Sequence, residues 1–249
     1  MPEVLRLLRE WHCEVDLLLP DERPVDLASL RPAHDVYVLK SGTEAALSVA
    51  GALDTGGALM VNPYPVTALC RDKVMTTRVL QQAGVPVPET WMTTRSTELA
   101  GLLEDGPLVL KPVRGSQGRG VTVVHHPDEL GRAPQDGLLL AQRWHRPDGP
   151  DRKMYCIGGE VYGVQRDFPA TTFDAKVGRP LQVDSELRDL VLRCGRALGL
   201  DLFGVDVIEH GGVRYVVDLS SFPGFKGVPN AAQRLAEYLY HAGRQAVVA

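Results

Sequence analysis

The sequence predicts a mixed fold, a short α/β unit followed by antiparallel α+β structure, and three observations carry that expectation. Across residues 1–65 short apolar runs alternate with helical stretches, which implies mainly parallel strands. Between residues 108 and 124 a strand, a glycine-rich loop and a second strand follow one another. Two later segments, residues 153–166 and 204–219, each place a Gly-Gly pair between alternating strands, the pattern of a tight hairpin.

The first unit starts on a helical stripe of Val4, Leu5, Leu8 and Trp11. Val15–Leu19 and Val36–Leu39 read as buried strands, residues 43–53 as a helix, and Ala58–Val61 as another strand. Such units usually open with a strand, so either this one is minimal or its start is cut or misassigned. Asn62-Pro63-Tyr64-Pro65 reads as a linker. A helix then runs from Arg71-Asp72-Lys73 with Met75, Val79 and Ala83 as its stripe, and Gly84 ends it. Leu108–Pro112, Val121–Val124 and Leu138–Gln142 read as strands. Residues 146–150 look like a mobile turn, and residues 167–183 like an irregular loop. Leu187, Leu190, Val191, Cys194, Ala197 and Leu198 make the strongest helical stripe, ended by Gly199. A last helix turns Leu235, Leu239, Ala242 and Ala246 inward.

Composition narrows the function. The 249 residues are 44% hydrophobic and 23% charged, ordinary for a globular chain, and the net charge of −4 gives no electrostatic case for nucleic acid or an anionic membrane. There is no apolar run of membrane-span length and no signal-peptide pattern. Cys13, Cys70, Cys156 and Cys194 are widely spaced, without metal-site spacing, so free thiols in a reducing cytoplasm are expected.

Chemistry concentrates in four places. In the last hairpin Asp206 and Asp218 lie directly opposite if the turn centres on Gly212. Two facing carboxylates repel, and a hard divalent cation such as magnesium would justify them; two solvated acids on a wet sheet face are the alternative. The other hairpin brings Lys153 and Arg166 side by side, suited to an anionic ligand or merely exposed at strand ends. The loop Gly115-Ser116-Gln117-Gly118-Arg119-Gly120 can bare its N–H groups to phosphate oxygens. It lacks the G-x-x-x-x-G-K-[ST] pattern and a following helix, so a flap over a nucleotide suits it better than a cradle at a helix end. Lys111 closes the strand before that loop.

Taken in order, Arg71-Asp72-Lys73, Lys111-Pro112, Gly115-Ser116-Gln117-Gly118, Gln142-Arg143-Trp144, Asp151-Arg152-Lys153, Arg166, Gly204-Val205-Asp206 and Asp218–Gly224 resemble the ATP-grasp superfamily over about residues 62–240. The resemblance is closest to the branch of ribosomal-protein glutamate ligases and inositol trisphosphate kinases. It implies an ATP-grasp fold, two α+β subdomains clasping ATP. Residues 1–65 would be a reduced N-terminal α/β unit, 66–141 the small subdomain with its glycine-rich flap, and 142–249 the C-terminal subdomain with the metal site. By position, Lys73 and Lys111 would hold phosphates, Gly115, Ser116, Gln117, Gly118 and Gly120 would close over them, and Gln142, Arg143 and Trp144 would meet adenine. Asp206 and Asp218 would bind magnesium, with manganese as a substitute, and Lys153 and Arg166 would stabilise the transferred phosphoryl group.

Three departures stand out, the short N-terminal unit among them. Ser220 occupies a position where the family usually has an asparagine metal ligand. Asp167-Phe168-Pro169-Ala170 replaces the arginine–serine–asparagine type of segment seen in many peptide-forming ligases. The leading expectation is a cytoplasmic ATP- and magnesium-dependent carboxylate–amine ligase acting through an acyl phosphate on a small-molecule or peptide acceptor. A kinase for an inositol- or polyol-type hydroxyl is the second reading, favoured by Asp218 and Phe222-Pro223-Gly224, and a nucleotide-binding protein with weak turnover is the third. The short first unit leaves a surface that a second copy of the chain would cover.

Overall fold

A computed structural model describes residues 1–115, 118–133, 137–166 and 177–246. Three sheets order the described residues: a two-stranded parallel pair, a four-stranded and a five-stranded sheet. In the first unit β1 (Tyr37–Val38) pairs with β2 (Met60–Val61). The connecting helix α2 (Glu44–Thr55) is capped by Thr43, whose hydroxyl accepts from the Ala46 N–H, and packs Val49, Ala50 and Leu53 beside Met60. Helix α1 (Pro2–Glu10) buries Val4 and Leu8, and Trp11 meets Tyr240 edge-on at 5.8 Å. The strand expected at Val15–Leu19 does not form. The parallel sheet has only two strands, and Leu17, Leu18 and Leu19 stand 62%, 52% and 44% exposed.

Asn62-Pro63-Tyr64-Pro65 is not a linker. Pro63 caps helix α3 (Tyr64–Leu69) and Pro65 lies in its first turn, where a missing N–H costs nothing. Asn62 is 3% exposed; its Nδ2 donates to the carbonyls of Leu202 (2.7 Å) and Ser221, and its Oδ1 accepts from the N–H groups of Leu202 (3.0 Å) and Asp201 (3.2 Å). One buried amide thus ties the first unit to the strand that leads to Asp206. Replacing it with leucine strands those groups, and Asn62→Leu is expected to cost ~2–4 kcal/mol in urea unfolding. A loss below ~0.5 kcal/mol would show that the amide is not a tie.

The four-stranded sheet has the order β3 (Thr90–Thr93), β6 (Leu139–Arg143), β4 (Leu108–Pro112), β5 (Thr122–Val124), all antiparallel. Leu108, Leu110, Leu139 and Ala141 point to one face, onto two 3₁₀ segments, Ser96–Asp105 and Pro127–Arg132. Period two sends Lys111, Leu140 and Gln142 to the other face, toward the rest of the protein. The subdomain boundary expected between residues 141 and 142 falls inside β6.

Helix α4 (Lys73–Gln82) is capped by Asp72, which accepts from Val74 N–H at 2.8 Å and Met75 N–H at 3.1 Å. Its inward arc is Thr76 and Leu80, flanked by Val79 and Ala83, whereas Met75 is 51% exposed. The Thr76 hydroxyl returns to the Asp72 carbonyl at 2.9 Å, so a polar residue sits inward at no loss. Leu80 packs into the core of the five-stranded sheet.

That sheet runs β11 (Val213–Ser220), β10 (Leu202–His210), β7 (Asp151–Ile157), β8 (Glu160–Arg166), β9 (Arg179–Leu181). β9 lies in the stretch expected to be irregular; residues 167–176 of that stretch, with Asp167-Phe168-Pro169-Ala170, lie outside the described residues. Both hairpin turns, Gly158-Gly159 and Gly211-Gly212, have positive φ at each glycine, as a two-residue turn between right-twisted strands requires. One face of the sheet packs Met154, Cys156, Phe203, Val205 and Val207 against Leu187, Val191 and Cys194 of α5 (Ser185–Leu198), which ends at left-handed Gly199. The other face meets α6 (Ala231–Ala246) through Leu235 and Leu239, and only at one end, around Tyr155, Ile157 and Leu202. Ala242 is half-buried beside them, and the Ala246 side chain lies outside the described residues. The four cysteines are unpaired; burial pushes the Cys70 and Cys194 thiols up to about 12 and Cys156 up to about 11. Among the described residues no helix is long and apolar enough to cross a membrane.

Candidate active site

Among the described residues, the end of that sheet face beyond α6 carries the polar groups. Near the turn the hairpin register pairs His210 with Val213 and Val207 with Val216; past a bulge at Val217 it pairs Asp206 with Asp218. A two-residue turn alone would set Asp206 against Val217. The extra residue restores the opposition, and it also turns the Val217 carbonyl out of the ladder. Lys153 lies opposite Asp206 on the next strand, its Nζ 2.8 Å from Asp206 Oδ1. Lys73, at the head of α4, stands 3.8 Å from Asp218 Oδ1 and donates to the Gly115 carbonyl at 2.8 Å. Each carboxylate therefore has one lysine. Ser220, two residues beyond Asp218 on the same face, sits opposite Gly204. A Cβ at Gly204 would lie 3.1 Å from Pro223 Cγ and 3.2 Å from the Met154 carbonyl, so glycine lets the Phe222–Gly224 segment pass close over the strand.

Lys111 reaches the same place from the other sheet. Its ammonium donates to Gln142 Oε1 at 2.7 Å and to the Val217 carbonyl at 2.8 Å. Burial pulls its pKa below the usual lysine range, against the opposing pull of Asp218. A cleft between the sheets is lined by Lys73, Gln142, Val217 and Asp218, with Thr76 and Leu80 behind.

Arg166 is not beside Lys153 but opposite Asp151, one rung away on the same face. Its Nη2 donates to the Tyr155 hydroxyl at 2.7 Å, and its buried Nε has no partner among the described residues. Burial raises the Asp151 carboxyl, and Asp206 adds to the rise. Asp151 was read from the sequence only as part of the family resemblance, with no role, and Tyr155 was not singled out; their alternation with Lys153 along one strand is the signal that places all three on one face. Lys40 was missed too. It follows β1, and its Nζ donates to the carbonyls of Phe222 (2.8 Å) and Pro223 (3.1 Å) and lies 5.1 Å from the Phe222 ring centre.

The expected adenine contacts divide. Gln142 faces the cleft. Arg143 points to the opposite face of β6, over Trp91 at 5.3 Å, where Nη1 donates to the carbonyls of Leu102 (3.0 Å) and Gly106. The N–H groups of Arg143 and Trp144 are already given to the Glu89 and Pro107 carbonyls, both at 2.9 Å. Trp144 is half-buried, edge-on to His125 at 5.6 Å. The loop after it is docked rather than free. Asp148 N–H donates to Glu209 O at 2.8 Å, Gly211 N–H donates to Asp148 Oδ2 at 2.7 Å, and His145 stacks on Tyr215 at 4.4 Å. In the glycine-rich loop Gly118 and Gly120 have φ of 71° and 73°, while Ser116 and Gln117 lie outside the described residues. Among the described residues no three His, Cys, Asp or Glu side chains converge on one metal position. Two carboxylates and a hydroxyl are nevertheless hard oxygen donors of the type magnesium takes.

The family model of the RimK-like ATP-grasp domain matches residues 70–239, more than half of the chain. The chain belongs to the RimK-like ATP-grasp family. Its similar proteins include a glutamate–LysW ligase (ArgX) of Sulfurisphaera tokodaii, 26% identical over 95% of this chain and 92% of that one. A coenzyme γ-F420-2:α-L-glutamate ligase of Methanococcus maripaludis is also 26% identical, over 75% of this chain and 72% of the relative. Among solved structures, D-cycloserine synthetase DcsG superposes with a TM-score of 0.77 at 16% identity, covering 99% of this chain and 94% of that one. At that identity it speaks for the fold, the ATP-grasp fold expected from the sequence. With its family and these relatives, this RimK-like chain is an ATP-grasp ligase.

Proposed function

We propose that this ligase uses ATP and magnesium to phosphorylate a carboxylate, and that an amine then attacks the acyl phosphate to give an amide. One observation supports this above the others: Asp206 and Asp218 oppose each other on one sheet face, with Lys153 against the first, Lys73 near the second and Lys111 on the Val217 carbonyl beside it, three lysines from three separate elements. Acids in facing positions with cations around them suit a polyphosphate and its metal, not a solvated surface. Magnesium held by Asp206, Asp218 and the Ser220 hydroxyl would screen charge on the phosphate chain.

The chain's own residues would do the rest. Lys111 donates to two acceptors, and as an ammonium it has one hydrogen beyond those two bonds to give a phosphate oxygen. Lys73 would hold both the glycine-rich loop, through Gly115 O, and a phosphate. Lys153 and Arg166 lie one rung apart on the acceptor side, where they would stabilise charge on the moving phosphoryl group. The Tyr155 hydroxyl fixes the direction of the Arg166 guanidinium.

The carboxylate bears an amino-acid or peptide group on this reading, in line with the glutamate ligases named above. The kinase alternative predicts a different product. With ATP, magnesium and a panel of carboxylate–amine pairs beside polyols, ADP and free phosphate are expected only when carboxylate and amine are both present. Phosphate retained on a hydroxyl acceptor in acid-stable form would overturn the ligase reading.

A further inference from the structure

The hydrogen bonds behind Lys111 have a direction, and that direction is set by a threonine that touches no part of the cleft chemistry. Thr90 lies directly opposite Gln142 on the neighbouring strand. Its hydroxyl donates to the Pro88 carbonyl at 2.7 Å. A hydroxyl has one hydrogen, so the Thr90 oxygen is left to accept, and it accepts from Gln142 Nε2 at 3.2 Å. Nε2 facing Thr90 forces Oε1 to face the other way, where it accepts from Lys111 Nζ at 2.7 Å. The reversed amide would put an NH₂ against an ammonium group and a carbonyl against a hydroxyl oxygen with no hydrogen to give. Gln142 is 3% exposed, so water does not mediate the choice.

We propose that Thr90 is a positioning residue for nucleotide phosphate binding, acting through Gln142 to hold the Lys111 ammonium in its place between Gln142 and the Val217 carbonyl. The inference rests on Lys111 being a phosphate-binding lysine. The alternating strand geometry places all three residues on one face of the four-stranded sheet, and Lys111 is diagonal to Gln142 across β4 and β6. Without the Thr90 hydroxyl Nε2 has no acceptor on that side, and the amide is oriented by the Lys111 ammonium alone. An amide that turns to bring Nε2 to another acceptor takes Oε1 off Lys111, and losing an acceptor for a charged donor in a buried place is costly. Lys111 would populate other rotamers, and the phosphate would meet it less often in the bound position.

The test uses Thr90→Val, which keeps the branched shape and strand preference but removes the hydroxyl. The readouts are KM for ATP, kcat, and calorimetric binding of ATP, ADP and adenosine. KM for ATP is expected to rise about fivefold to twentyfold with kcat within about twofold. Binding of ATP and ADP should weaken in parallel while adenosine binding is unchanged, and Thr90→Ser should restore the wild-type values. A merely structural role for Thr90 would lower kcat, adenosine binding and the melting temperature together. Thr90→Ala gives the same comparison if the valine variant does not fold. Lys111→Met separates the two claims. If it leaves ATP binding intact, the phosphate role of Lys111 fails and the inference with it. If it weakens ATP binding while Thr90→Val and Thr90→Ala bind ATP like the wild type, only the positioning role is overturned.

Discussion

Asp218→Asn is expected to lower kcat about a thousandfold, roughly 4 kcal/mol of transition-state stabilisation, while leaving the protein as stable as before or more so. The two effects have one cause. Asp206 and Asp218 are opposed like charges on neighbouring strands, an arrangement that costs stability in the absence of a cation. Asp218 recovers little of that cost, since Lys73 is 3.8 Å away and Asp218 is 40% exposed. Neutralising it should raise the melting temperature by about 1–3 °C without magnesium. Asp206→Asn should lose turnover to the same extent yet lower the melting temperature, because Asp206 is the partner of Lys153 at 2.8 Å. Near-native turnover in either variant at saturating magnesium would remove that carboxylate from the chemistry and with it the two-carboxylate metal site.

Lys153→Met carries the second large effect. Lys153 is 9% exposed and lies between strands at the open end of the sheet face, with Asp206 as its ion partner. Its loss should reduce kcat about a hundredfold, since it is one of two cations facing the position of the transferred group. It should also cost about 1 kcal/mol of stability, because Asp206 is then left beside Asp218 with no lysine; the partial exposure of Asp206 keeps the figure below that of a fully buried pair. Lys153→Met combined with Asp206→Asn should recover the stability and none of the turnover. A double variant as unstable as the sum of its parts would mean that the pair is not coupled.

Much of the site is legible in the sequence because strand geometry is so regular. Gly211-Gly212 marks a hairpin, and a turn centred on Gly212 sets Asp206 against Asp218 on paper; the actual two-residue turn would set Asp206 against Val217, and the bulge at Val217 that restores the opposition has no sequence signal. Lys111 is legible as the end of a strand before a glycine-rich loop, but its partners are not, because Gln142 and the Val217 carbonyl come from distant segments. Arg143 illustrates the limit of reading a motif as a block: it sits beside Gln142 in sequence and, by the same period two, on the other side of the sheet. Asn62 was hidden by its neighbours. Pro63 and Pro65, which follow it, signal a break in the chain, yet its amide is the most fully bonded polar side chain of the first unit. Val15–Leu19 failed in the opposite sense: an apolar run marks a strand only where a sheet extends to receive it, and here the parallel sheet stops at two strands.

The account stands on Asp206 and Asp218 as the metal end of an ATP site. Calorimetric titration of ATP into the wild type and into the Asp206→Asn/Asp218→Asn double variant, each with magnesium and with a chelator, tests it most directly. Magnesium should tighten ATP binding at least tenfold in the wild type and leave the double variant's affinity unchanged. Equal magnesium dependence in the two proteins would contradict it.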